Sequence, residues 1–203
     1  IGFNARILYD EIPVGADPLG PDNILILSVG SLVGTPFPTA SRTEASARSP
    51  LTGGFGTSNS GAFFGLRLKG AGYDAVILKG QAQNPVYLLI EEDRVEIRDA
   101  SFLWGKDAWE GIDMLKECHY GAEVVIIGPA GENLVRFASI ENGYYDGFGR
   151  TGLGAVMGSK KLKAVVVRGA RPVVPKDPRA LLELTAKGQK QIKSASSYQP
   201  FVS

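Results

Sequence analysis

The sequence predicts an α+β chain made of two similar β-rich halves with short helices. Two observations predict it. Glycine is concentrated in two separate clusters, and the order of apolar strand, glycine loop, short helix and buried strand occurs twice. The chain has 26 glycines in 203 residues, against a usual share of about 7%. Seven lie between Leu51 and Gly72 and six between Glu141 and Gly158. Glycine is used where backbone turns sharply or approaches another surface closely. Two clusters far apart in sequence predict two backbone surfaces pressed against one bulky object.

The elements follow in order. Ile1 to Glu11 reads as the remains of a helix. Ile24 to Val29 is an apolar strand, and Arg42 to Arg48 alternates as a second. The first glycine cluster is followed by a short helix at Ala62 to Lys69 and a buried strand at Ala75 to Leu78. Pro85 to Ile90 and Arg94 to Arg98 flank Glu91-Glu92-Asp93 as a hairpin with a solvated acidic turn. Lys106 to His119 is an amphipathic helix carrying Trp109, Ile112 and Leu115 on one face. Val124 to Ile127 and Leu134 to Ile140 read as strands. The second glycine cluster, a helix at Gly154 to Lys160 and a buried strand at Ala164 to Val167 complete the second half. Asp177 caps a last helix with Pro178 at its first position, and Leu181, Leu182 and Leu184 give it an apolar face.

The repeat extends to residues. Ala75-Val-Ile-Leu-Lys-Gly80 is matched by Ala164-Val-Val-Val-Arg-Gly169, and Arg42-Thr-Glu-Ala-Ser46 by Arg136-Phe-Ala-Ser139. Two glycine loops related by approximate two-fold symmetry would suit a ligand with two similar ends. The expected organisation is one unit over residues 1–175, with pseudo-repeats at about 20–90 and 122–175. Residues 176–203 are the truncated start of a helical region. A start at Ile1 without methionine and a polar end at Ser203 mark a piece of a longer polypeptide.

Composition excludes several classes. With 44% apolar residues, 21% charged residues and a net charge of +1, the chain is globular and lacks the basic surplus of a nucleic-acid binder. No apolar run approaches the roughly 20 residues of a membrane span. One cysteine, Cys118, and one histidine, His119, exclude a disulfide scaffold and a self-contained zinc or iron–sulfur site. Adjacent on a helix, these two point about 100° apart and form no catalytic dyad. A reducing, cytoplasmic setting is the default.

Gly147-Phe-Gly149-Arg-Thr-Gly152 matches G-x-G-x-x-G, but a dinucleotide fingerprint needs a strand directly before it and an acid about 20 residues on. Pro172 stands there instead. Gly154 to Lys160 imitates a P-loop with the wrong spacing and with Lys160 after Ser159. The underlying chemistry survives. Amides at helix starts near Gly61 and Gly152 would cradle phosphate, and Arg42 and Arg150 would add charge-assisted bonds.

Longer blocks carry a resemblance. Ser49-Pro-Leu-Thr-Gly53, Asn59-Ser-Gly61, Lys69-Gly-Ala-Gly-Tyr-Asp-Ala75, Ile97-Arg-Asp-Ala-Ser101 and Trp104-Gly-Lys106 lie in the order found in one family. So do Ile127-Gly-Pro-Ala-Gly-Glu-Asn-Leu-Val135 and Gly152-Leu-Gly-Ala-Val-Met-Gly-Ser-Lys160. From Ile1 to Gly169 the chain resembles the N-terminal domain of the aldehyde ferredoxin oxidoreductases. The resemblance implies a base of two β-rich halves beneath tungsten held by two pterin dithiolenes, beside a [4Fe–4S] cluster bound by the C-terminal part. It implies oxidation of a small aldehyde to a carboxylate, with ferredoxin or another electron-transfer protein as partner. Neither nucleic acid nor a membrane span is implied. A Mg²⁺ would bridge the two pterin phosphates and take the backbone carbonyls of Asn59 and Gly147. Arg42 corresponds to an arginine on the pterin towards the cluster, and Gly61, Gly149 and Arg150 lie at further cofactor-contacting positions. No catalytic acid or base is implied here.

The chain departs from the family in one place. Asp146 stands where well-studied members have arginine, so that arginine's role is not carried across. Three other readings compete. One is the active-site subunit of a class II benzoyl-CoA reductase from the same family. Another is a nucleotide-binding domain using Gly147 to Gly152, and the third is a metal-free binding module. The aldehyde, tungsten against molybdenum, the acceptor and the oligomeric state are left open.

Overall fold

The computed structural model describes residues 1–195; the polar stretch at 196–203 lies outside the described residues. Sixteen elements run α1 (Gly2–Glu11), β1 (Leu25–Val29), β2 (Thr43–Arg48), β3 (Phe55–Ser60), α2 (Phe64–Gly70), β4 (Ala75–Leu78), β5 (Val86–Glu91) and β6 (Arg94–Asp99). They continue with α3 (Ala108–Cys118), β7 (Glu123–Ile126), α4 (Pro129–Glu132), β8 (Ile140–Asn142), β9 (Asp146–Phe148), α5 (Leu153–Ser159), β10 (Leu162–Arg168) and α6 (Pro178–Ser194).

The strands form two sheets, one ordered β3-β2-β1-β4 and the other β9-β8-β7-β10-β5-β6. The first four strands of the second sheet repeat the order of the first, and every pair within each set is antiparallel. A short helix, α2 or α5, precedes the last strand of each set. The duplication read from Ala75–Gly80 and Ala164–Gly169 is therefore present in the topology, because β4 and β10 hold the same place. The likeness of Arg42 to Arg136 is looser. Arg42 directly precedes β2, whereas Arg136 lies in a turn ahead of β8. The hairpin β5–β6 extends the second sheet by pairing β5 parallel to β10.

Burial explains the continuous apolar runs. Leu88 and Ile90, Val125 and Ile127, and Val165 and Val167 join Leu25, Leu27, Ala45 and Ala47 in one core that spans both sheets and encloses α2 and α5. The alternate residues Tyr87, Leu89, Val124, Ile126, Ala164 and Val166 face the other way, onto Ile112 and Leu115 of α3. Strands β5, β7 and β10 are thus buried on both faces and need apolar residues at every position. Helix α1 covers the outside of the first sheet through Leu8 against Ile24 and Ile26.

Two charged side chains are drawn into this interior. Lys163 pairs with Glu132 and donates to the Lys106 carbonyl at 2.8 Å, and both side chains are buried. Lys160 donates to the carbonyls of Asn23 at 2.5 Å and Gly80 at 2.9 Å, tying the end of α5 to the first sheet.

Several sequence expectations are corrected. Leu134 to Ile140 is not a strand; β8 begins only at Ile140. The segment before it lies on α5, where Gly154 N–H donates to the Ala138 carbonyl at 3.0 Å. A Cβ at Gly154 would sit 2.1 Å from the Ser139 oxygen, and one at Gly158 would sit 2.0 Å from the Gly131 oxygen. Backbone pressed on backbone here excludes a ladder. The first glycine cluster contains a strand, β3, held by pairing with β2 instead of by its own propensity. Trp109, Leu182 and Leu184 are exposed, not inward, and the strand at Ala75–Leu78, read as buried, is only half-buried, with Ile77 exposed because β4 is the edge of its sheet. The Asp177 cap forms as expected, accepting the Ala180 N–H at 3.0 Å.

Gly154→Ala should cost about 3 kcal/mol or more, because the clash is with main chain that cannot rotate away; urea denaturation of the chain measures it. Lys160 provides a second test. Its burial lowers its pKa from 10.5 to about 8. Between those values the unfolded chain holds more protons, so stability should rise as pH climbs from about 8 to 10.5. Lys160→Met should flatten that rise in denaturation curves taken across the window.

Candidate functional site

The predicted residues meet where the two sheets end. Strands β3 and β9 are edge strands of their respective sheets, and they abut. An edge strand keeps one row of N–H and C=O groups unpaired by its own sheet. Asn59 lies on β3 opposite Glu44, and Gly147 lies on β9 opposite Glu141. Both glycine loops therefore present main chain along one seam.

Side chains of β8 and β9 close this seam. Asn142 and Asp146 are cross-strand neighbours, so their side chains share a face. Asp146 Oδ2 accepts the Gly61 N–H at 2.7 Å, and its Oδ1 accepts the Gly147 N–H at 2.9 Å. Asn142 Nδ2 donates to Ser60 Oγ at 2.9 Å and to the Gly61 carbonyl at 3.0 Å. At the other end, Ser49 Oγ donates to the Thr151 carbonyl at 2.8 Å.

The arginines sit at opposite ends. Arg42 immediately precedes Thr43, which pairs with Ser60, so Arg42 lies at the Gly61 end. Arg150 adjoins Thr151, which Ser49 holds at the far end. Both are exposed, and neither makes a side-chain hydrogen bond or ion pair among the described residues. Arg42 also borders a hollow of about 310 Å³ with Gly30, Leu32 and Pro38. Gly149 is exposed, has no left-handed φ, and has no atom within 4 Å of where a Cβ would lie. Nothing in the chain's own packing requires glycine there.

The phosphate expectation changes form. The Gly61 amide is already taken by Asp146. The start of α5 is buried, and its Gly154 amide is taken by Ala138. The cup expected at Gly152 is closed, and at Gly61 the amide of the loop itself is no longer open to an anion. What remains available along the seam is the outward main chain of two edge strands and two free guanidinium groups. The nucleotide fingerprint also lacks its context, since Gly147 belongs to an antiparallel hairpin and no parallel strand runs directly into it.

Other candidates resolve as structure. His119 turns inward to the Tyr87 hydroxyl at 3.1 Å, and burial lowers its pKa, while Cys118 is exposed. Glu92 and Asp93 of the acidic turn pair with Arg171, whose bond holds the Asp93 carboxyl below its usual range. The Tyr144 phenol is pushed up to about 12 by its bond to Asp113 at 2.6 Å. Glu44 accepts from the Thr57 hydroxyl, and burial raises its pKa. A groove of about 700 Å³ between α1 and residues 53–55 contains none of the predicted contact residues. Asn142 was missed from sequence; nothing local marks it.

Comparison with known proteins agrees with this architecture. Residues 1–169 match the family model described as the aldehyde ferredoxin oxidoreductase N-terminal domain. The chain belongs to the aldehyde ferredoxin oxidoreductase family. It is 49% identical over 175 residues to the tungsten-containing aldehyde ferredoxin oxidoreductase of Thermococcus kodakarensis, covering 85% of this chain and 29% of that protein. To the enzyme of the same name from Pyrococcus horikoshii it is 47% identical over 186 residues, covering 90% and 30%. Among solved structures, the active-site complex BamBC of benzoyl coenzyme A reductase with 1,5-dienoyl-CoA matches at a TM-score of 0.92 and 44% identity. That match covers 95% of this chain and 30% of the other. The chain thus spans about 30% of the length of these family members.

Proposed function

We propose that the chain is the base of a tungsten bis-pterin oxidoreductase that oxidises aldehydes to carboxylates and passes the electrons through a [4Fe–4S] cluster to ferredoxin. The observation that carries this reading is the seam. Two like halves bring two edge strands and two unpaired arginines to one line, which suits a prosthetic group with two similar anionic ends. The open space at Gly149 supports close approach by a group from outside the chain.

In this reading Arg42 and Arg150 place fixed positive charge beside the anionic pterins. The Asn59 and Gly147 carbonyls would hold a Mg²⁺ as hard oxygen ligands. Gly149 lets the main chain come close, and Gly61 would contribute by its place at the end of β3, where Asp146 fills its Cβ space. The bound tungsten–pterin group supplies the two-electron oxidation, and this chain supplies position and electrostatics. A single cysteine cannot furnish cluster thiolates, so we assign these and the catalytic acid–base groups to sequence beyond these residues. The base unit is drawn over residues 1–175, with α6 beginning the next region. A cytoplasmic setting goes with this chemistry.

The likeness to the benzoyl coenzyme A reductase complex supports a second reading, an active-site subunit that reduces an aromatic ring. Substrate separates them. Turnover of an aromatic acyl-CoA without any aldehyde oxidation would move the assignment.

The primary test is elemental and pterin analysis of the full-length protein purified anaerobically with tungstate supplied. Stoichiometric tungsten with two pterins is expected; absence of tungsten, molybdenum and pterin would sink the reading. Arg42→Ala removes a charge-assisted bond worth about 1.5–3 kcal/mol, so cofactor retention should weaken roughly 10- to 100-fold. Unchanged metal content and turnover would contradict the role given to Arg42.

A further inference from the structure

We infer that Asp146 and Asn142 form a clamp that sets the spacing of the two glycine loops, and that Asp146 is a positioning residue for the cofactor cradle. The inference rests on the reading of the seam given above. Its geometry is already on the page. The two side chains face each other across the β8–β9 ladder and grip one short segment of the other half. Asp146 takes the Gly61 N–H, and Asn142 takes the Gly61 carbonyl and the Ser60 hydroxyl. Gly61 is thus bonded on both its main-chain polar groups by the opposite sheet.

Gly61 is part of the device. A Cβ there would lie 2.6 Å from Asp146 Oδ2, so any other residue forces the carboxylate to shift. Asn142 is only 1% exposed, which ties the clamp to the core rather than to solvent. A buried amide leaves its partners unsatisfied if it moves, so the grip is costly to release. The second oxygen of Asp146 holds the Gly147 N–H, so one carboxylate contacts both loops at once. Asn59 and Gly147, the two proposed carbonyl donors, lie within two residues of these bonds. Their separation is therefore set by one side chain bridging the halves.

The clamp also accounts for the departure at this position. An arginine there would add charge to the cradle. The aspartate instead spends its charge on two backbone amides and makes no ion pair among the described residues. Recognition of the anionic group then falls to Arg42 and Arg150, and Asp146 acts through the main chain.

Hydrogen exchange and metal loading of the full-length protein test this. Asp146→Ala and Gly61→Ala each remove the bridge, one by deleting the carboxylate and the other by displacing it. Peptides covering 58–63 and 144–150 should exchange at least tenfold faster in cofactor-free protein, while β10 peptides stay protected. Tungsten and magnesium content should fall several-fold in both variants. Asp146→Asn keeps one oxygen acceptor but turns an NH2 donor on the second amide, so it can hold only one loop; protection should return at 58–63 or at 144–150 and not at both, a split that a general packing defect would not show. Wild-type exchange at 58–63 in Asp146→Ala would overturn the clamp. Full tungsten and magnesium in that variant would overturn its positioning role. Absence of tungsten from the unaltered protein would instead sink the function proposed above, while the exchange data would still decide the clamp.

Discussion

The peptide groups of Gly61 are held by a different half of the chain from the one that makes them. Its N–H goes to Asp146 and its carbonyl to Asn142. Most backbone polar groups are satisfied within their own element or sheet. Here the end of one edge strand is satisfied by side chains from the edge hairpin of the other sheet. That exchange turns two separate sheets into one continuous surface, and the contact residues proposed above lie along it.

Edge strands are ordinarily a liability, because unpaired main chain recruits other chains. This fold gives the edges a use. β3 and β9 shield each other in part, and in the proposed reading the rest of their main chain faces the ligand. Carbonyl and amide groups do not depend on side-chain identity, so a site built this way tolerates drift at Asn59 and Gly147. It does not tolerate a change of backbone path. The interior accordingly fixes that path with groups that have little freedom, including backbone-on-backbone contact at Gly154 and Gly158 and the buried lysines 160 and 163. Lys160 reaches carbonyls of the first half, so its cost of burial is offset only when the halves are docked, whereas Lys163 is met within the second by Glu132 and the Lys106 carbonyl.

Much of the fold was legible because burial on both faces leaves a strong sequence signature. The runs at Val86–Ile90 and Ala164–Val167 could hardly be anything but strands in a chain of this size; Ala75–Leu78 shows a similar run although β4 is only half-buried and Ile77 is exposed. The Asp177-Pro178 start of α6 was legible because capping is local. What failed was non-local. β3 reads as a polar glycine-rich loop and is a strand only because β2 pairs with it. The stretch from Leu134 reads as a strand and is not, because α5 brings glycines against it and takes its carbonyls. Trp109 obeys helical spacing but lies outside the face that α3 buries.

The candidate site divides the same way. Sequence by itself determined the duplication, the two glycine clusters, the charged residues Arg42 and Arg150 near them, and the family, because each is a matter of residue type and order. Only the tertiary structure decided that Asn59 and Gly147 lie on abutting edges, that the Gly61 and Gly154 amides are already taken, and that Asp146 joins the halves. Those facts depend on contacts between residues from 16 to 85 apart in the chain. No local pattern encodes such pairing, since it is set by which edges remain open once both sheets have packed around α2 and α5.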